Sequence, residues 1–356
     1  MAHAVIHWAP TGSGHEPAGR TRRADRAALH TKSACPLLST CNARPDTLRV
    51  MSSSTLDPST GRRARIQSAF RWACGLDVAV RKPGNVSLAS PGTGPSPGQL
   101  LDSANAAAGP LTNHGASIGA RIEGAIQAGR EATGCSPNLG IVLLCAPLAA
   151  AAEQRADTHG PSGLRHGLEM LLGRLDADDA VAAFRAIAQA DPDGLGRTDE
   201  RGLVRPAGMT LRAAMASAAP RDRIALQYTD AYHEMFELGL PVFLSAMGTV
   251  PVSPQIRAGG LPTLNSALEH AMQRTFLRWL STGPDSHLVR QHGPERALSV
   301  NLQARGWRMR LPAPHHAPEP AEWARWDEML KTRDLNPQTS AHLCVATAFL
   351  AALLNL

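Results

Sequence analysis

Residues 133 to 152 read TGCSPNLGIVLLCAPLAAAA: a polar turn built from Gly134, Ser136, Pro137 and Asn138 passes directly into a run without a charged side chain. A helix of that composition has no polar face, so protein must cover it on every side. It is also shorter than the roughly 20 residues that cross a bilayer, as is the apolar C-terminal run from 343 to 356. A chain carrying such a segment folds around it. The polar start is suited to anions, because free N–H groups and the helix dipole meet there and Gly134 and Gly140 allow close approach. Plain capping, with Asn138 as N-cap, explains the same residues.

The surroundings are helical too. The chain is 43% hydrophobic and only 4% aromatic, dominated by alanine and leucine, and it shows no sustained β alternation or repeat. The reading is all-α: a single multi-helix domain of about a dozen helices over residues 61–356, preceded by a disordered basic extension over 1–60. Residues 1 to 50 hold seven basic against three acidic side chains, so they supply +4 of the net charge of +6. The body is close to neutral, which argues against nucleic acid as a partner. Met51 followed by SSSTLDPSTG reads as the true start. Six cysteines without a CxxC pair read as reduced thiols, and with no secretory signal or membrane span the expected compartment is the cytoplasm.

Along the chain, RRARIQSAFRWACGLDVAV places Ile66, Phe70, Ala73, Cys74 and Asp77 at helical spacing and stops at Lys82-Pro83-Gly84. Lys82, one of three lysines, can act as a point charge for phosphate, with Asn85 and Ser87 as hydrogen-bonding neighbours; an ordinary helix-stop turn is the alternative. Helices follow at 99–108, 117–133, 163–173, 177–190, 211–218 and 221–238, the first two separated by a turn with His114. The 221–238 helix turns Ile224, Tyr228, Tyr232, Met235 and Phe236 inward and Asp230, Glu234 and Glu237 elsewhere. After an amphipathic helix at 263–282, PDSHLVRQHG starts a helix with Asp285 as N-cap and brings His287, Arg290 and His292 within two turns. The spacing fits no zinc signature. It suits phosphate binding through Arg290 and proton transfer through a histidine, or simply a capped surface helix. A last apolar helix opens with NPQTS, a further helix end open to anions.

Five blocks, RKPGNVS (81–87), TGCSPNLG with its apolar run, GLPVF (239–243), PDSHLVRQHG (284–293) and NPQTSAHLCVAT (336–347), resemble in order and spacing the triphosphoribosyl-dephospho-CoA synthase family, in the branch found in methylotrophic and related bacteria. The resemblance covers roughly residues 65 to 356. It implies a transferase that joins the triphosphoribosyl group of ATP to 3′-dephospho-CoA with loss of adenine, using Mg²⁺. It further implies nucleotide or phosphate contacts from Lys82, Gly84, Asn85, Ser87, Thr133, Gly134, Asn138, Gly140, Arg290, Asn336 and Thr339. Asp285 would bind the metal or stabilise an oxocarbenium-like transition state, and His287 or His292 would move the proton. The better-characterised synthases carry GGVNTHKG where this chain has TGCSPNLG, and a GAHxDM element absent from residues 88–113. Those departures leave open a sibling transferase acting on another cofactor precursor, such as a pterin, or a nucleotide-binding homologue without turnover.

Overall fold

The segment that must be covered forms helix α4 (Leu139–Glu153), buried on every side from Gly140 to Ala152. A computed structural model describes residues 58–154, 160–190, 208–257, 260–313 and 316–356. The expected N-terminal extension up to residue 57, the Met51 start and the glycine-rich turn at 191–202 lie outside them, while residues 58–60, expected to be disordered, open the first helix. Ahead of α4 come α1 (Pro58–Ala79), α2 (Pro97–Leu111) and α3 (Ile118–Thr133). Behind it follow α5 (Pro161–Leu172), α6 (Ala177–Ala190), α7 (Leu211–Ala218), α8 (Arg223–Thr229), α9 (Leu240–Met247), α10 (Ser266–Thr282), α11 (Ser286–His292), α12 (Pro294–Arg310), α13 (Pro320–Thr332) and α14 (Gln338–Leu353). The described residues contain isolated bridges but no strand. No described helix is long and apolar enough to cross a membrane.

The second wholly buried helix, α14, packs on α4 and also on α1, α9 and α10. Its Leu343, Val345, Phe349, Leu350 and Leu353 are all at most 1% exposed. At about 1.5–3 kcal/mol each, they contribute on the order of 10 kcal/mol before entropy is counted. The start of α14 is therefore held by its own core. On α1, Ile66, Phe70, Ala73, Cys74 and Asp77 are all buried, as their spacing requires.

The expected continuous helix over 221–238 is interrupted. α8 ends at Thr229, Ala231 and Tyr232 have positive φ (51° and 58°), and Met235–Gly239 is a π-helical turn leading into α9. The interrupted segment meets α4 at a proline. Pro147 has no N–H to give the carbonyl four residues earlier, that of Leu143. The Tyr228 hydroxyl donates to that carbonyl at 2.6 Å, and Tyr232 donates to the next one, Leu144, at 3.0 Å. The bond to the Leu143 carbonyl, which α4 leaves free, helps to offset the left-handed turn, which costs on the order of 1–3 kcal/mol per residue. The five inward residues of this segment are buried as expected. Of the carboxylates, Glu234 pairs with Arg223 at 2.9 Å and Glu237 with Arg165 at 3.6 Å.

Candidate active site

A cavity of about 200 Å³ opens where four segments distant in sequence meet. Its walls are Asp77 from α1, the loop from Gly84 to Pro95, His287, Gln291 and His292 of α11, and the α13–α14 connection with Lys331, Asp334, Asn336, Gln338 and His342. Pro137, just before α4, adds to the wall.

Each segment is pinned from behind. Gly84 has φ +81°, donates its N–H to Asp327 at 2.8 Å, and would drive a Cβ into the Leu335 carbonyl. Only glycine suits that position. Asp327, fully buried, also holds Lys331 at 2.9 Å, and Lys331 reaches across to the Ser90 carbonyl at 2.6 Å. This ties the 84–95 loop to α13. Burial lowers the Lys331 ammonium below the usual lysine range, against the pull of Asp327. The Asn85 amide donates to Asn336 Oδ1 at 3.0 Å, which leaves the buried Asn85 Oδ1 without a protein partner. His292 Nε2 lies 2.9 Å from the Asp334 carbonyl, whose residue sits at φ +57°.

The buried imidazole of the wall is His342. Burial, followed by the positive fields of His287, Arg290 and Lys82, pushes its pKa down to about 3. It is neutral at physiological pH, with one ring nitrogen donating and one accepting. Gly140 of α4 lies so close that a Cβ there would strike His342 Nδ1, and would meet Ile224 Cδ1 at 2.8 Å.

Of the residues singled out in the sequence, Gly84, Asn85, His287, His292 and Asn336 line this cavity. The others do not, and each has a physical reason. Lys82 is fully buried, ion-paired to Asp77 at 3.0 Å and bonded to the Asp77 and Val80 carbonyls, so its charge is already neutralised. Ser87 is buried against Ser90 in an isolated bridge. Thr133 bonds the carbonyls of Gly129 and Cys135 at 2.9 Å, and Gly134 is the left-handed C-cap of α3. Asn138 occupies the N-cap position of α4 but turns its amide to the Leu100 carbonyl at 2.9 Å. Gly140 serves the contact with His342. Arg290 pairs with Asp222 at 2.6 Å. Thr339 accepts from the His287 N–H at 3.2 Å.

Asp285 is the largest correction. It is the N-cap of α11, as expected, accepting from His287 and Leu288 at 3.0 and 3.2 Å. Its other oxygen accepts from both the N–H and the hydroxyl of Ser340 at 2.7 Å. Four donors occupy a carboxylate that is 2% exposed, so it joins α11 to α14 and has no oxygen facing the cavity. His114 is exposed, 3.8 Å from Glu153, away from the cavity. Among the described residues no group of three or more His, Cys, Asp or Glu is placed to hold a metal.

The titratable and amide side chains of the cavity that the sequence reading assigned to no site are Asp77, Gln291, Lys331, Asp334, Gln338 and His342. A signal for the last existed: His342 is four residues after Gln338, one turn along a helix whose start was already suspect.

Residues 63–356 match the model of the family described as ATP:dephospho-CoA triphosphoribosyl transferase, and the chain belongs to that family. A solved structure from Archaeoglobus fulgidus, named as a triphosphoribosyl-dephospho-CoA synthase, aligns with a TM-score of 0.53 at 19% identity. The alignment covers 70% of this chain and 97% of that one. No curated protein matches the chain. The chain is thus a transferase that takes ATP as substrate and passes its triphosphoribosyl group to dephospho-CoA. Since the triphosphate and ribose are transferred together, the base that leaves is adenine.

Proposed function

We propose that the cavity between the 84–95 loop, α11 and the start of α14 is where the triphosphoribosyl group is held and transferred. The observation that carries this is convergence: three of the family-like segments meet at one polar opening. At about 200 Å³ it is smaller than pockets that enclose a whole drug-sized ligand, roughly 300–1,000 Å³. It suits ribose and phosphates, with adenine and the acceptor reaching outward.

In this reading Asn85 and Asn336 orient the sugar and phosphate oxygens through amide groups held by each other. Lys331, anchored by Asp327, supplies the positive charge first expected of Lys82. Adenine needs a proton as it departs, and the acceptor 2′-hydroxyl must lose one. His287 and His292 line the cavity and serve one of these transfers. His342, neutral at the back wall, can accept or donate a hydrogen bond without carrying charge. Asp334 would fit a Mg²⁺ ion only as a single ligand, in the manner of an ion held mostly by phosphate oxygens and water, since the Asp77 carboxylate is paired with Lys82. Such an ion would screen the triphosphate. Asp285 does not fit, because its oxygens are taken.

The test is adenine release from ATP and Mg²⁺, with and without 3′-dephospho-CoA, for the native chain, Asn85→Ala and Asn336→Ala. Acceptor-dependent release that falls at least tenfold in both variants, with native melting temperatures, supports the site. Undiminished release in both variants would place the chemistry elsewhere.

A further inference from the structure

The α10–α12 face carries a cationic cluster that the cavity does not use. Arg305 Nε donates to the Ser281 carbonyl at 3.2 Å and Arg308 Nη1 to the Ser281 hydroxyl at 3.1 Å, so two guanidinium groups meet at one residue. Arg278 lies three residues before Ser281 on α10, and its buried Nε has no hydrogen-bond partner. One turn further back, Arg274 Nη1 reaches the Leu311 carbonyl at 3.0 Å, just beyond the end of α12. None of the four makes an ion pair among the described residues, whereas neighbouring Arg310 is paired with Glu322 at 2.8 Å.

Helix ends account for only part of this charge. The C-termini of α10 and α12 each offer about −0.5 of an elementary charge, against four full positive charges. Arg274 and Arg308 are both held below the usual arginine range, by burial first and, for Arg308, then by repulsion from Arg278, Arg274 and Arg305. Planar forks of this kind match phosphate oxygens in bidentate geometry.

We infer that Arg274, Arg278, Arg305 and Arg308 form a second anion site, separate from the cavity, that takes a diphosphate- or triphosphate-class group. Arg305 and Arg308 are exposed and reachable, and none of the four lines the cavity. The test is isothermal titration of the full chain with inorganic pyrophosphate and tripolyphosphate at low and high salt, comparing native protein, Arg305→Ala/Arg308→Ala and Asn336→Ala. The expected result is two binding events in the native chain, both weakened by salt: the arginine double variant loses the one that Asn336→Ala keeps, and Asn336→Ala loses the one that belongs to the cavity. Adenine release at saturating ATP stays native in the double variant, which shows that it is folded. Equal affinity in the native and double-variant proteins would overturn the inference. So would loss confined to Asn336→Ala, or no binding by the native chain at millimolar anion.

Discussion

The chain enters a wholly buried helix from a polar loop twice, at TGCSPNLG before α4 and at NPQTSAHL before α14, and the two junctions behave differently. Before α4 the polar groups are spent on the fold: Thr133 and Gly134 close α3, Asn138 ties α4 to α2, and Gly140 makes room for an imidazole. Before α14 they line an opening: Asn336, Gln338 and His342 face the cavity. The difference follows from where the side chains around each junction find partners. Both loops are five residues long and both close the helix before them, so length does not separate them. The α14 loop shares that load with Asp285, which satisfies Ser340 from outside.

The comparison can be broken most sharply at Asp285. Asp285→Asn sets an amide against two Ser340 donors, and we expect a loss of about 3 kcal/mol, read by denaturant unfolding. Loss of turnover with full stability would instead restore a chemical role. Gly140→Ala comes next, at about 1–3 kcal/mol from overpacking, with adenine release falling as the His342 ring is displaced. The paired test is Asn138→Ala against Asn336→Ala. The first should cost about 1 kcal/mol of stability and leave kcat/KM for ATP intact, and the second should do the reverse. If both lower kcat/KM equally, the α4 junction is part of the site.

Acidity gives a further handle. His342 has a native pKa of about 3 against 6.5 when unfolded, so below pH 6.5 the unfolded chain takes up a proton that the native chain refuses. Its contribution is full above pH 6.5 and falls as pH drops towards 3, by about 1.4 kcal/mol per unit. His342→Gln should flatten that slope in melts collected from pH 7 to 4. The smallest effect belongs to Arg290→Ala: its half-exposed pair with Asp222 is worth up to about 1 kcal/mol, and turnover should stay within a few-fold of native.

The all-helical fold and the buried faces of α1 and α4 were legible because periodicity and apolar content report burial directly. Residues that line the cavity were legible where a loop had no other duty, as at Asn85 and Asn336. They were misread where a polar group was consumed by a partner far away in sequence. Lys82 and Asp77 are five apart, and an aspartate on an apolar helix face just ahead of an isolated lysine was itself the signal of a pair. Asp285 and Ser340, 55 residues apart, offered no such sign. The break after Thr229 was hidden because the contacts its tyrosines make, beside Pro147, belong to another helix.

That proline also bears on how relatives can differ. Because Tyr228 supplies the bond that Pro147 withholds from the Leu143 carbonyl, the two positions form one unit of sequence change. A relative that keeps the proline should keep the hydroxyl, and one that has lost the proline is free to carry phenylalanine there. The chain's only two tyrosines both serve this patch, so drift at one residue of α4 would release a constraint on a turn more than 80 residues away.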